Sequence, residues 1–193
     1  ADCTGHGIPG AFMSILGITL LNEIVSKSAV LKTNEILSQL RIQVIKALHQ
    51  TWEHKETRDG MEMALCIIDL NKKKLQYSGA FRPLYLIRSN DIVELKGDLI
   101  PIGVYPEGEE SYSCQEMQIE KDDVIYLSSD GFVDQIGGGK RKTFRSTNLK
   151  NLLQTIRTKP MKEQKIILEK TIEKWRDGID QVDDILILGL KIQ

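Results

Sequence analysis

Met61-Glu62-Met63-Ala64-Leu65-Cys66-Ile67-Ile68-Asp69-Leu70 decides the fold, because here the chain changes its hydrophobic period. Upstream, apolar residues recur at helical spacing; here they run almost unbroken over the length of one strand. Asn71-Lys72-Lys73-Lys74 supplies a polar turn and Leu75-Gln76-Tyr77-Ser78 returns, so the segment predicts a β-hairpin.

Downstream, Gly79 to Pro83 interrupts the strand pattern, and Leu84 to Arg88 followed by Ile92 to Leu95 predicts a second hairpin about Ser89-Asn90-Asp91. A Gly- and Pro-containing stretch leads to strands at Tyr112–Ile119 and Val124–Leu127, then helices near Ser146–Ile156 and from Pro160 to Trp175. Ile185 to Leu190 closes the chain as a strand. Upstream, Gly10 to Ser26 is apolar nearly all round, which predicts a helix sandwiched between other elements. Its dense apolar part is short for a bilayer, so it is not read as a membrane span. Thr33 is expected to cap a second helix running to about Trp52, and both Trp52 and Trp175 are read as packing residues. Helices, then strands, then helices predict sheets covered by helices.

With 193 residues the chain fits one domain, and its net charge of -1 gives no electrostatic reason to expect nucleic acid as a partner. Its three cysteines, Cys3, Cys66 and Cys114, are odd in number and widely spaced, as expected for reduced thiols in the cytoplasm. No leader pattern precedes the first helix and the chain does not begin with Met, so its start is read as a cut. The element that would hold Asp2 rigid is expected to be missing. An unpaired sheet edge should result, exposed or covered in a homodimer.

The chemistry concentrates in Asp2-Cys3-Thr4-Gly5-His6-Gly7-Ile8-Pro9-Gly10, a glycine-rich loop entering a helix, whose only carboxylate is Asp2. Asp130 directly follows one apolar strand and Asp183 directly precedes another. If those strands are antiparallel neighbours, the two carboxylates share one edge. Clustered carboxylates repel unless a cation neutralises them, and oxygen ligands without paired His or Cys favour Mg2+ or Mn2+ over zinc. Each acid also has a plainer reading, as a turn or a solvated strand start.

Asp2 to Met13, Ser128-Ser129-Asp130-Gly131-Phe132-Val133-Asp134-Gln135 and Gln181-Val182-Asp183-Asp184-Ile185 together resemble the SpoIIE-like branch of the type 2C metal-dependent serine/threonine protein phosphatases. Asp59-Gly60-Met61, Gly79 to Tyr85 and Pro101-Ile102-Gly103 extend the resemblance over nearly the whole chain, read as one domain spanning residues 1–193. The resemblance implies an α/β (α+β) fold: a four-layer α/β/β/α sandwich of two antiparallel sheets flanked by helix pairs, here truncated at the N-terminus. It implies that Asp2 bridges two Mn2+ or Mg2+ ions, that the Cys3 carbonyl binds one of them, and that Asp130 and Asp183 hold the other. Water activated between the two metals attacks phosphorus in line. The family's upstream strand supplies a further acid, so the second metal site is expected to be incomplete here. The implied substrate is phosphoserine or phosphothreonine on a regulatory protein of the anti-sigma-factor antagonist type, with this domain cytoplasmic, alone or as the cytoplasmic part of a membrane-anchored sensor, and without membrane contact of its own.

Other residues carry weaker signals. His6 stands where a loop histidine bonded to backbone is as good a reading as a general acid, and in eukaryotic relatives the acid falls at the position of Thr4. Asp59 suits a third metal site or a helix-to-strand turn. Asp184 should face away from Asp183 if the two lie on one strand. Arg82 could meet a phosphate, but an ion pair is the simpler reading. Gly137-Gly138-Gly139-Lys140-Arg141-Lys142 reads as a mobile surface loop whose charge could steer an acidic phosphoprotein. Beside the phosphoprotein phosphatase stand a non-catalytic module acting by partner binding and a phosphohydrolase acting on small molecules.

Overall fold

The computed structural model describes residues 1–5, 7–27, 32–51, 59–105, 111–139 and 141–193; His6, Trp52 and Lys140, each given a reading above, lie outside the described residues. The chain forms two compact units, residues 1–83 with 96–118 and residues 84–95 with 119–193.

The first unit is built on an antiparallel sheet ordered β1 (Asp2–Cys3), β2 (Met61–Asp69), β3 (Lys74–Ala80), β4 (Gln115–Gln118). The hairpin expected at Met61 is present, with Asp69 opposite Lys74. Its turn closes because the Asp69 carboxylate accepts the Lys72 amide at 2.9 Å, while Lys73 takes a left-handed φ of 50°. Two helices, α1 (Gly7–Lys27) and α2 (Thr33–Ala47), cover the sheet. Ile24, Leu37, Leu40, Val44, Met61 and Ile102 form the centre of this unit's core.

Three expectations are corrected here. First, α1 is not sandwiched. Met13 and Ile24 are buried and Leu16, Leu20 and Leu21 pack beside them, whereas Ile8, Phe12, Ile15, Ile18 and Val25 are exposed, Phe12 at 68%. One face alone meets the core, and its uniformly apolar composition hid which face that is. By length and composition α1 could also cross a bilayer. Second, Asp2 is held in place. The short strand β1 sets Asp2 opposite Glu62 on β2, and Thr4 locks onto Gly60 through its amide (3.0 Å) and its hydroxyl, which accepts the Gly60 amide at 2.8 Å. Third, Thr33 is the first helical residue and not the cap. It is fully buried and its hydroxyl shares a 2.8 Å hydrogen bond with Ser78, while the Glu35 carboxylate accepts the Lys32 amide at 3.1 Å.

The second unit repeats the plan. Its sheet runs β10 (Ile187–Lys191), β7 (Val124–Ser128), β5 (Leu84–Arg88), β6 (Asp91–Leu95), all antiparallel, with β10 at one edge. The two-residue turn of the β5–β6 hairpin uses Ser89 at a φ of 52°. Helices α4 (Ser146–Ile156) and α5 (Met161–Arg176) pack on the sheet through Leu149, Leu153, Leu168 and Ile172 against Tyr85, Val124 and Tyr126. Burial pushes the Tyr126 phenol up to about 12, and its hydroxyl bonds the buried Gln164 side chain. Between β7 and α4 the chain makes a one-turn helix α3 (Gly131–Asp134) and a small ladder of β8 (Ile136–Gly137) with β9 (Lys142–Thr143). The Gly-rich tract expected to be a loop is therefore flanked by paired strands. The final strand begins at Ile187, two residues later than its apolar pattern implies.

Candidate metal-binding acids and the clamp that places them

The ladder of β7 with β10 places the second unit's acids. Ile187 lies opposite Ser128, and one further bond, from the Ser129 amide to the Leu186 carbonyl at 3.0 Å, extends the ladder past the end of β7. Ser129 then clasps the other segment. Its hydroxyl donates to the Asp184 carbonyl at 2.8 Å and accepts the Leu186 amide at 2.9 Å. The chain turns at Asp130 into α3, where the Asp130 carbonyl accepts the Val133 and Asp134 amides at 2.8 and 2.9 Å. No side-chain bond caps this helix, so the Asp130 carboxylate is not consumed as its cap.

Gly131 makes the close approach possible: a Cβ there would lie 2.4 Å from the Asp184 carbonyl oxygen. Gly131→Ala is therefore expected to force the two segments apart. The expected loss is about 1–3 kcal/mol, read as a lower urea midpoint at unchanged m; an unchanged midpoint would show that the segments separate freely.

As a result, a carboxylate oxygen of Asp130 and one of Asp183 lie within 4.8 Å of each other. Asp183 is exposed and Asp130 half-buried. The shared edge inferred from strand order is thus present for this pair. Residues 183–186 precede β10, so the strand alternation invoked for Asp184 does not apply. Instead the Asp184 amide donates to Asp183 Oδ1 at 2.7 Å, turning that side chain back along its own backbone.

Two positions given no task by the sequence reading prove to be supports. Ser129 is one. Gln135 is the other: fully buried, it donates from Nε2 to the carbonyls of Ile136 and Asp180, both at 3.0 Å, and accepts the Val182 amide at 3.2 Å. It fixes the segment that leads into Asp183. A polar residue closing an apolar motif was the only sequence sign of either.

On the first unit, Asp2 sits in β1 as described, and Cys3 packs against the core with its thiol accepting from Ser14 at 3.6 Å. Asp59 stands before β2, and its carbonyl accepts a hydrogen bond from the Gln50 side-chain amide. Arg82 is ion-paired with Glu62.

The family model for Stage II sporulation protein E matches residues 1–193. No curated protein sequence matches the chain. Among solved structures, the PP2C domain of SiaA from Pseudomonas aeruginosa superposes with a TM-score of 0.88 at 27% identity, covering 100% of this chain and 74% of that one. The PP2C phosphatase domain of SpoIIE from Bacillus subtilis, with a fragment of its regulatory domain, gives 0.75 at 19% identity over 100% of this chain, which spans 52% of that protein. A manganese-presoaked SpoIIE phosphatase domain from the same organism gives 0.58 at 18% identity, covering 92% and 73%. Below a quarter identity, the latter two support the fold alone. Since the family's pattern runs from the first residue to the last, and two antiparallel sheets with their helix pairs recur in PP2C domains, this chain belongs to the SpoIIE family, protein-phosphatase hydrolases of the PP2C type.

Proposed function

We propose that the chain removes phosphate from phosphoserine or phosphothreonine on a regulatory protein, using divalent metal held by Asp2, the Cys3 carbonyl, Asp130 and Asp183. The observation that carries this reading is the Asp130–Asp183 pair, two carboxylates within 4.8 Å of each other. At that separation two negative charges repel, and a cation between them removes the penalty. Oxygen donors of this kind suit a hard ion, Mg2+ or Mn2+. The donor set therefore fits the metal, and Asp2, fixed on β1 in the motif that carries the family resemblance, is assigned as the third acid.

When bound, such ions lower the pKa of coordinated water and offset charge on the phosphoryl oxygens. The protein's own part is positional. Ser129 and Gln135 fix the backbone on either side of the acids, so that two flexible carboxylates keep one geometry. We take the two compact units as parts of a single phosphatase domain, in keeping with a family match that spans both. We assign it to the cytoplasm, in keeping with three cysteines that are all unpaired.

The test measures hydrolysis of an aryl phosphate with Mn2+, with Mg2+ and after chelation, followed by a phosphoserine protein against nucleotides. Activity that vanishes with chelator, returns with Mn2+ and favours the phosphoprotein is the expected result. Metal-independent turnover, or a preference for nucleotides, would overturn the reading.

A further inference from the structure

A groove of about 580 Å3 lies on the second unit between the β8–β9 hairpin and α5. Its floor is apolar, made by Phe144, Ile167 and Trp175, and Gly138 of the hairpin forms one wall. That floor is braced on several sides. The Phe144 and Trp175 rings meet edge to face at 5.2 Å, and Phe132 stacks in the same manner on Phe144 at 5.1 Å. The Trp175 indole donates to the Gln135 carbonyl at 3.0 Å, and the Gly138 amide donates to the Trp175 carbonyl at 2.7 Å.

The rim is cationic. Lys170 and Lys174 line the groove, and no carboxylate among the described residues does. Nearby on α5, Lys165 is paired with Glu169 and Arg176 with Glu173. Lys170 and Lys174 have no carboxylate partner among the described residues, and neither have Arg141 and Lys142, which are exposed on the adjoining hairpin. Two lysines without an ion-pair partner among the described residues thus line one apolar hollow, with two more unpaired cations on the adjoining hairpin, in a chain whose net charge is -1.

We propose that this groove docks an acidic polypeptide segment presenting one bulky apolar side chain. The aromatic floor takes the apolar group, excluding water around a rigid anchor site. The rim lysines meet flanking carboxylates, which steers encounter and sets register. A nucleic acid fits less well, because its affinity comes from a long row of phosphate contacts, whereas two lysines beside an apolar floor line this groove. Neither Asp130 nor Asp183 lines the groove, so docking and hydrolysis are separable.

The test is calorimetric titration of the intact protein with a short peptide of Asp and Glu around one central Leu. Wild type is expected to bind it. Replacing the Leu by Gly, or the protein's Lys170→Glu and Lys174→Glu together, should weaken binding at least about tenfold, with Lys170→Gln and Lys174→Gln intermediate. Circular dichroism confirms that each variant is folded. Binding should persist in Asp130→Asn and without Mn2+, so a failed hydrolytic reading leaves this result standing. The proposal is overturned if wild type does not bind the peptide, if the charge variants bind it equally well, or if a DNA oligonucleotide or anionic vesicles bind more tightly at the same ionic strength.

Discussion

Asp130→Asn is expected to lower Mn2+-dependent turnover by about a thousandfold or more and to weaken Mn2+ binding in step, while the metal-free protein melts within about 2 °C of wild type. Asparagine keeps the shape of the side chain and removes only its charge. The turn that carries it is secured by backbone, through the Asp130 carbonyl and the Ser129 clasp, and none of these bonds involves the carboxylate. The charge beside Asp183 is what a divalent ion would use, so the loss belongs to affinity and turnover more than to folding. Turnover, a Mn2+ isotherm and a melting curve separate these quantities. Retained activity at saturating Mn2+ would remove Asp130 from the site and take the metal reading with it.

How much of this could be read beforehand depends on the range of the forces involved. The hairpins at Asp69–Lys74 and Arg88–Asp91 were legible because turn chemistry is local: an Asp side chain bonding an amide three residues on, and a polar pair able to take a positive φ. The Asp130–Asp183 pair was legible because two apolar runs of strand character lay close to the acids in the sequence, so one assumption about neighbouring strands brought them together. The orientation of α1 was not legible. When Phe12, Ile15, Leu16 and Leu20 are all apolar, periodicity carries no contrast, and only the packing partner decides that Leu16 turns inward and Phe12 outward. The β8–β9 ladder is two residues a side, too short to show a period of two. Ser129 and Gln135 act across 45 to 57 residues of sequence, a separation at which a hydroxyl or an amide gives no sign of its partner.

Arg88→Ala should give the largest loss of stability among surface-reachable positions of the second unit, about 3 kcal/mol. Arg88 ends β5 and forks onto Asp123, with Nε to Oδ1 at 2.9 Å and an Nη to Oδ2 at 2.7 Å, while its other Nη reaches Glu120 at 2.8 Å. Asp123 is 1% exposed, and apart from Arg88 its carboxylate receives the Glu120 amide at 2.8 Å. The hydrogen bonds to Asp123 hold the guanidinium pKa above its usual value. Truncation would strand a buried carboxylate on one backbone donor. The same turn anchors the chain's last strand, since the Ile192 amide donates to the Asp123 carbonyl at 2.9 Å and the Asp122 amide donates to the Ile192 carbonyl at 2.9 Å. The expected cost falls at the low end of the range for broken buried pairs because the Arg88 side chain is 33% exposed, so water can follow it into the gap. Arg88→Lys should cost less but not nothing, since an ammonium cannot make the fork. Adding Asp123→Asn to Arg88→Ala removes the stranded charge, so the double variant should be more stable than the sum of the two single losses implies. Urea denaturation of the four proteins measures the coupling. Additive losses, or a single loss near zero, would mean that solvent reaches Asp123 well enough to replace the arginine.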